Sequence, residues 1–272
     1  MVARPPLVTV MAAAADKAAR RLIRDFNEVE QLQVSRKGPA DFVSAADLAA
    51  ERTIKAELKR ARPSAGILAE EDGAEEGRDA TARWIVDPLD GTLNFLHGIP
   101  HFAISIAYES NGEVVAGLVF DPIKDETYWA EKGRGAYVND RRLRVSARRN
   151  IEDALIAHGR PDPGDADRAP FLAEIDAVLA AGAAVRRFGA AALDLAYVAA
   201  GRLDGYWEAG LKPWDLAAGM LIVREAGGMV TDLTGGTDGL AQGDVAAANP
   251  HVHEALMRAL ASVRHATATL PR

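Results

Sequence analysis

Two aspartates and a threonine lie close together in the segment WIVDPLDGTLNF, which spans Trp84 to Phe95. Asp87 and Asp90 are three residues apart, so their carboxylates can converge on one point. Two anions held that close repel each other unless a cation lies between them, and ligation by oxygen alone selects a hard cation such as Mg²⁺. The segment therefore predicts a divalent metal site with the Thr92 hydroxyl beside it.

The elements around these side chains would place the metal next to a phosphate. Trp84 to Val86 is a β-prone apolar run that predicts a buried strand, while Pro88 and Gly91 favour a turn. A helix that begins near Gly91 would point the amides of Gly91, Thr92 and Leu93 outward, where they attract anions. The alternative interpretation is that Asp-Pro-Leu-Asp-Gly is only a polar surface turn.

Two further acids are candidates for the same site. The acidic run Glu70 to Asp72 directly follows a predicted strand at Ile67 to Ala69, so pairing of neighbouring strands would bring Glu70 close to Asp87. Asp215 stands in the first turn of a predicted helix. The alternatives are a solvated loop for the acidic run and, for Asp215, a first-turn acid that the helix dipole stabilises.

The composition is that of an ordinary globular protein with 272 residues, of which 49% are hydrophobic and 26% charged. The net charge of −7 argues against a general nucleic-acid-binding protein, which usually carries a concentrated basic surface. The chain has no cysteine, which excludes thiolate metal sites and disulfides and fits a reducing cytoplasm. We therefore expect a cytoplasmic protein that neither spans a membrane nor binds nucleic acid directly.

Hydrophobic periodicity divides the chain into a helix-and-sheet half and a half with alternating helices and strands. Helices are predicted at 11–26, after Ser44 to about Arg60, and near 165–181, 190–200, 213–226 and 250–263. Strands are predicted at 67–69, 84–86, 102–108, 114–120 and 127–130, then near 155–157, 204–207, 229–232 and 245–248. These patterns predict an α+β or α/β fold with subdomains at residues 1–150 and 151–272, whose junction would complete the site.

The joint occurrence of these acids and their neighbours resembles the inositol monophosphatase family, in particular its bacterial extragenic-suppressor type. This family belongs to the lithium-sensitive, magnesium-dependent sugar-phosphate phosphatases. The strongest similarity lies in Trp84 to Phe95 and in Lys212 to Gly219, and the segments from Gly189 to Ala196 and from Gly205 to Glu208 are also similar. Two separated signatures in the right order are more specific than either one alone.

The resemblance implies a layered αβαβα sandwich, a homodimer and a metal site with two or three Mg²⁺ ions. By motif position, Glu70, Asp87 and the Leu89 carbonyl would hold one ion, while Asp87, Asp90 and Asp215 would hold a second. Two metals about 3.5–4 Å apart can activate a water molecule and stabilise a leaving alkoxide, so no covalent enzyme intermediate is required.

The resemblance also implies the residues that act on the substrate. Thr92 and Asp47 would orient the attacking water, and Glu70 counts with them as catalytic. The residues implied to bind the substrate are Asp90, Gly91, Thr92, Gly189, Ala190, Ala191, Glu208 and Asp215. One departure is Ala190, because family members commonly carry serine or threonine at that position.

The expected activity is hydrolysis of a small phosphate monoester, with myo-inositol monophosphate as the leading substrate and Glu208 as acceptor for vicinal hydroxyls. Histidinol phosphate, fructose 1,6-bisphosphate and nucleotide 3′-phosphates are alternatives within the same fold. A different class of function is association with a transcription complex, since some similar bacterial proteins associate with RNA polymerase and termination complexes.

Overall fold

The computed structural model describes residues 3–28, 34–36, 42–159 and 168–268. The helices in these ranges are α1 (Pro6–Asn27), α2 (Ala45–Ala61), α3 (Thr92–Leu96), α4 (Arg168–Ala180), α5 (Ala191–Ala199), α6 (Pro213–Glu225), α7 (Gly239–Gln242) and α8 (Pro250–Ala268). A short 3₁₀ helix spans Ile151–Asp153. Within the same ranges, no helix is both long and apolar enough to cross a bilayer.

The strands of the described residues form two large mixed sheets and a small hairpin. The strands are β1 (Val34–Arg36), β2 (Phe42–Ser44), β3 (Ala65–Ala69), β4 (Gly73–Glu75), β5 (Asp79–Asp90), β6 (Ala103–Ser110), β7 (Glu113–Asp121), β8 (Glu126–Glu131), β9 (Ala136–Val138), β10 (Arg141–Arg142), β11 (Leu155–His158), β12 (Ala184–Arg186), β13 (Gly205–Glu208), β14 (Met229–Thr231) and β15 (Val245–Ala248).

The first sheet has the order β10-β9-β8-β7-β6-β5-β3-β4, and the second has the order β12-β11-β13-β15-β14. In the first sheet only β3 and β5 run parallel among the described pairs. In the second, β11 is parallel to both β12 and β13, while β15 is antiparallel to its two neighbours. The strands predicted at 102–108, 114–120 and 127–130 are confirmed and form the antiparallel run β6-β7-β8.

Helices cover both sheets and separate them from each other. The helices α1 and α2 pack on the outer face of the first sheet, and α5 and α6 fill the space between the sheets. The helices α4 and α8 cover the outer face of the second sheet. The result is the predicted αβαβα sandwich, and the layers explain why so many strand residues are apolar on both sides.

The strand β5 illustrates how the sequence satisfies two cores at once. Trp84 and Val86 point into the core under α1 and α2, whereas Ile85 points into the core around α5 and α6. Successive side chains of a strand point to opposite faces, so a central strand with helices on both sides must be apolar at every position. The continuous apolar run before Asp87 is therefore the expected signature of this strand.

Several predicted boundaries were wrong at the ends of elements. The first helix begins at Pro6 rather than Met11, with a proline at its first turn, where the missing amide costs nothing. The structure describes the helix predicted near 165–181 from Arg168 onward, and residues 165–167 lie outside the described residues. The division into subdomains at about residue 150 stays a prediction, although no strand pairing joins the two large sheets among the described residues.

Candidate active site

The ends of two parallel strands bring the first two acids together. The last pair between the parallel strands β3 and β5 joins Ala69 to Val86, so Glu70 and Asp87 each come directly after this pair. The Glu70 amide also donates to the Val86 carbonyl at 3.2 Å. Glu70 and Asp87 form a side-chain hydrogen bond with each other, as the strand-end argument predicted.

The next acid is positioned by a bulge rather than by the predicted turn. The pairing of β5 with β6 lapses between Asp87, opposite Ser105, and Asp90, opposite Ala103. One strand advances three residues while the other advances two, which is the definition of a β-bulge. Pro88 lies inside the lapse, where its missing amide breaks no ladder bond. Asp87 and Asp90 therefore sit at an irregular strand end and not in a free loop.

Hydrogen bonds within this bulge hold its shape. The Leu89 amide donates to the Asp87 carboxylate at 2.9 Å, and the Thr92 hydroxyl donates to the Leu89 carbonyl at 2.9 Å. Gly91 then takes a left-handed conformation with φ of 90° immediately before α3. A side chain at Gly91 would meet the His101 carbonyl at 3.0 Å, so both backbone and space require glycine here.

Asp90 joins the bulge to a helix of the second half. Its carboxylate accepts hydrogen bonds from the amides of Ala191, Ala192 and Leu193 at 3.1, 2.8 and 3.4 Å. These amides are the orphan donors at the first turn of α5, which favours a negative charge. The link explains how a residue of the first sheet and a helix 100 residues later come to share one site.

Asp215 enters from the first turn of α6. Its carboxylate accepts the Lys212 amide at 2.7 Å, and Pro213 occupies the first position of the helix. Asp215 is thus an acid in the first turn of a helix, as predicted, and this hydrogen bond is half of a capping box. Asp215 nevertheless also faces the other acids, because its charge contributes to the raised pKa values of Glu70, Asp87 and Asp90.

We name Glu70, Asp87, Asp90 and Asp215 the four-acid cluster. Burial and the charge of Asp215 raise the pKa of Glu70 to about 8. Burial and Asp215 also raise the pKa of Asp90 to about 7, although the α5 amides oppose the rise. Burial raises the pKa of Asp215 to about 6, and burial followed by the neighbouring carboxylates raises that of Asp87. None of the four forms an ion pair with a lysine or arginine of the described chain.

Two more acids lie at the edge of this cluster. Carboxylate oxygens of Asp47, Glu70 and Glu71 all lie within 4.8 Å of one another, a spacing that can hold a metal ion. Asp47 is buried in the first turn of α2. The sequence argument pointed to Asp47 and Glu70 but gave Glu71 no role.

A cavity of about 180 Å³ opens beside Asp90 and Asp215. Its walls are Asp90, Gly159, Arg187, Gly189, Ala191, Glu208, Leu211 and Asp215. The predicted substrate residues Gly189, Ala191 and Glu208 therefore face it. Ala190 does not line the cavity, and its side chain is buried beneath the loop.

Three residues of the cavity wall escaped the sequence analysis. Gly159, Arg187 and Leu211 come from separate segments that the tertiary structure brings together. Nothing in the local sequence distinguishes Arg187 from its neighbour Arg186. Only a signal that reported three-dimensional proximity could have found them.

Comparison with known proteins assigns the chain to a family. The model of the inositol monophosphatase family matches residues 4–265. The chain belongs to this family. A protein of Mesorhizobium japonicum named inositol-1-monophosphatase is 56% identical over 95% of this chain and 97% of its own length. Members of the inositol monophosphatase family hydrolyse phosphoric monoesters, so this chain is such a hydrolase and its substrate carries a phosphate group.

Two other relatives extend the comparison. A Pseudomonas aeruginosa protein named Nus factor SuhB is 43% identical over 93% of this chain and 94% of its own length. The crystal structure of the extragenic suppressor protein suhB from Bartonella henselae has a TM-score of 0.91 at 55% identity and covers 94% of this chain and 98% of that one. The inositol monophosphatase fold is therefore present over nearly the whole chain.

The chemistry of the donor set fits divalent cations. The four-acid cluster offers only hard oxygen ligands, and burial together with neighbouring carboxylates raises the pKa values of Glu70, Asp87 and Asp90. Mg²⁺ sites in proteins are built from carboxylates and other oxygen ligands, and the four-acid cluster offers such ligands. The metal roles assigned to single residues stay predictions.

Proposed function

We propose that this chain is a Mg²⁺-dependent phosphatase that hydrolyses myo-inositol monophosphate to inositol and phosphate. The observation that supports the proposal is the four-acid cluster, which forms no ion pair with a lysine or arginine among the described residues and lies beside a cavity that Glu208 lines. Glu70, Asp87, the Leu89 carbonyl, Asp90 and Asp215 would hold two or three Mg²⁺ ions. When bound, these ions would lower the pKa of the attacking water and balance the charge on the leaving oxygen.

The chain's own residues would orient the reactants. The Thr92 hydroxyl donates a hydrogen bond to the Leu89 carbonyl, so the hydroxyl oxygen can still accept a hydrogen bond from the attacking water and align it. Asp47, next to Glu70, would hold the same water from the other side. The amides of Gly91 and Thr92 would receive the phosphate, and water would attack in line without a covalent intermediate. Trapping of a phosphorylated enzyme during turnover would contradict this mechanism.

Specificity would come from the cavity beside the cluster. Glu208 accepts hydrogen bonds from vicinal hydroxyls of the polyol, while Gly189 and Ala191 leave room for its ring. The buried Ala190 makes no direct contact in this scheme. Histidinol phosphate, fructose 1,6-bisphosphate and nucleotide 3′-phosphates are the competing substrates, because small changes in one pocket separate such molecules.

The decisive experiment is a phosphate-release screen with inositol 1-phosphate and these competitors, including adenosine 3′,5′-bisphosphate, with Mg²⁺ present or chelated. We expect the highest kcat/KM for inositol 1-phosphate and no release without Mg²⁺. Asp90→Asn serves as the inactive reference. Release that persists in chelator, or a rate that Asp90→Asn leaves unchanged, would reject the proposal. Inhibition by lithium would be a secondary sign of the same chemistry.

A second candidate function is association with a transcription complex, which the relative named Nus factor SuhB favours. The acidic net charge of −7 suggests a protein partner rather than direct RNA binding. Capture from a lysate of the source organism with and without Mg²⁺ tests it: recovery of RNA polymerase or its termination factors supports the role, and their absence rejects it. A homodimer, the expected oligomeric state, is tested by sedimentation of the purified chain.

A further inference from the structure

Glu208 owes its position in the cavity to a tyrosine in the same strand. Tyr206 and Glu208 are two residues apart on β13, so both side chains point to the same face of the sheet. The Tyr206 hydroxyl donates a hydrogen bond to the Glu208 carboxylate. Tyr206 is fully buried between the two sheets, whereas Glu208 reaches the cavity. The tyrosine therefore supports the carboxylate from behind.

A glycine directly after the neighbouring strand leaves the space that the Glu208 carboxylate occupies. The strands β11 and β13 are parallel with His158 opposite Trp207, and the Gly159 amide donates to the Trp207 carbonyl at 3.2 Å. A β-carbon at Gly159 would overlap the carboxyl group of Glu208. Glu208 thus occupies the space that any side chain at position 159 would need.

The electrostatics of this corner favour a tyrosine that keeps its proton. Burial, Glu208 and Asp194 raise the pKa of Tyr206 well above its ordinary value. Asp194 is itself buried, and Asp90 and Glu208 contribute to raising its pKa. The hydroxyl therefore acts as a donor to Glu208, and a carboxylate with several acceptor positions can still accept other donors.

We infer that Tyr206 is a positioning residue that selects substrates with adjacent hydroxyl groups by fixing the Glu208 carboxylate against Gly159. This inference rests on the proposed phosphatase function and names the part of the molecule that sets its substrate class. A flexible glutamate side chain would lose rotamer entropy each time a diol bound, which weakens binding. A Glu208 side chain already held in one rotamer avoids this loss. Preorganisation of this kind affects binding of the diol more than the reaction at the phosphate.

The chain supplies a matched control elsewhere. Tyr128 on β8 is also fully buried, and its hydroxyl donates to Glu126, two residues away on the same strand, at 2.6 Å. Arg202 contacts both members of this second pair. The pair lies outside the walls of the cavity. Tyr128→Phe therefore removes the same kind of hydrogen bond without touching the site.

The test compares Tyr206→Phe with Tyr128→Phe on three phosphate esters. Inositol 1-phosphate and glycerol 1-phosphate carry adjacent hydroxyls, while n-propyl phosphate has the carbon chain of glycerol 1-phosphate without them. We expect Tyr206→Phe to lower the kcat/KM ratio of glycerol 1-phosphate to propyl phosphate by about tenfold, mainly through KM, because one hydrogen bond to a charged group is lost. Gly159→Ala should lower the same ratio, since its methyl group displaces Glu208.

The outcomes separate this inference from the proposed function. If the wild type does not hydrolyse inositol 1-phosphate, the proposed function is wrong. The kcat/KM ratio of glycerol 1-phosphate to propyl phosphate still tests the role of Tyr206 in that case. A ratio that Tyr206→Phe leaves as in the wild type overturns the inference, as does an equal drop in Tyr128→Phe. A drop in kcat alone for every ester would also overturn it, because that is the signature of a general structural defect.

Discussion

Two groups of acids flank the same short loop and differ in whether a lysine side chain balances their negative charge. The four-acid cluster begins at Glu70, on one end of the loop. A second group lies at the other end of the loop and includes two residues of α2. We name it the lysine cluster, and its members are Glu51, Lys55, Asp72 and Glu75. The Lys55 ammonium lies 2.7 Å from Asp72, 3.7 Å from Glu75 and 3.9 Å from Glu51. The lysine cluster contains its own cation, whereas the four-acid cluster forms no ion pair with a lysine or arginine among the described residues.

The pKa values of the two clusters differ at every acid except Glu51, whose burial raises its pKa although Lys55 opposes the rise. A hydrogen bond from Lys55 lowers the pKa of Asp72, and Lys59 lowers that of Glu75. In the four-acid cluster, burial raises the pKa of every carboxylate, and neighbouring carboxylates add to the rise at Glu70, Asp87 and Asp90. A count of acids in the sequence cannot separate these cases, but the presence of a protein cation can. Lys55 supplies the counter-charge in the lysine cluster, whereas the four-acid cluster can bind a divalent cation as its counter-charge.

The strongest test of this distinction replaces one carboxylate in each cluster. Asp87→Asn keeps an oxygen that can accept the Leu89 amide but removes a charge from the four-acid cluster. We expect kcat for inositol 1-phosphate to fall by about 10³-fold, because the site loses a metal ligand and transition-state stabilisation. Asp72→Asn is the matched control and should change kcat by less than about threefold. Similar losses in both variants would erase the distinction between the clusters.

The second test uses pH and Mg²⁺ on the wild-type protein. The folded-state pKa values of Glu70, Asp90 and Asp215 are about 8, 7 and 6, above the ordinary values for these groups. The folded state therefore binds more protons than the unfolded state between about pH 4 and 8, so stability is lost as pH rises through this window. Without Mg²⁺, we expect the unfolding midpoint to be lower at pH 8.5 than at pH 5.5.

Mg²⁺ should oppose this loss, since it replaces the protons on the four-acid cluster. We expect the rise in midpoint on adding Mg²⁺ to be at least about 5 °C larger at pH 8.5 than at pH 5.5. Thermal unfolding in chelator and in saturating Mg²⁺ across this range measures both effects. In Asp87→Asn the pH dependence in chelator should be weaker. A wild-type midpoint in chelator that rises with pH would contradict the charge balance described above.

The lysine cluster gives the converse test. The Lys55 side chain is only 12% exposed and lies within 4 Å of three acids. Lys55→Gln therefore removes the cation nearest to the fully buried Glu51. We expect the free energy of unfolding to fall by about 1–3 kcal/mol, less than for a fully buried pair because Asp72 and Glu75 are exposed. Lys59→Gln removes an exposed partner of Glu75 and should cost under about 1 kcal/mol. Denaturant unfolding measures both, and equal effects would contradict the special role of Lys55.

The contrast between the clusters also explains what the sequence could and could not predict. Strand patterns alone placed Glu70 and Asp87 at neighbouring strand ends, because a parallel pair carries its following residues to one edge. The three-residue spacing of Asp87 and Asp90 predicted that their carboxylates converge, and the pattern of a helix start made Asp215 a candidate. The resemblance to the inositol monophosphatase family added Asp47, the metal role of Asp215 and the layered order of helices and sheets.

Other features depend on contacts that no local pattern encodes. The one-residue bulge between Asp87 and Asp90 exists only relative to β6, so the segment was interpreted as a turn. The lysine cluster joins α2 to a loop about 20 residues away, and the acidic run offered no sign of which acid meets which cluster. Gly159 and Tyr206 matter only because β11 and β13 place them on either side of Glu208. These features required the tertiary structure.

The smallest expected effect concerns the link between the two clusters. Glu51 accepts hydrogen bonds from the amides of Glu71 and Asp72 at 2.8 and 3.0 Å, so a member of the lysine cluster holds the loop that carries Glu70. Glu51→Gln keeps one acceptor oxygen but turns an amide group toward the second donor. We expect the Mg²⁺ concentration for half-maximal activity to rise by up to about tenfold, as for other residues that hold metal ligands in place.

The maximal rate at saturating Mg²⁺ should change by less than about twofold in this variant, because the loop regains its position once the metal is bound. Glu75→Gln is the control, since Glu75 belongs to the lysine cluster but forms no described hydrogen bond with the amides of that loop. A Mg²⁺ titration of activity decides the matter. If Glu51→Gln and Glu75→Gln both follow the wild-type titration, the clusters are independent neighbours. If only Glu51→Gln is shifted, the self-neutralised cluster serves as the rigid support on which the metal-binding cluster is built.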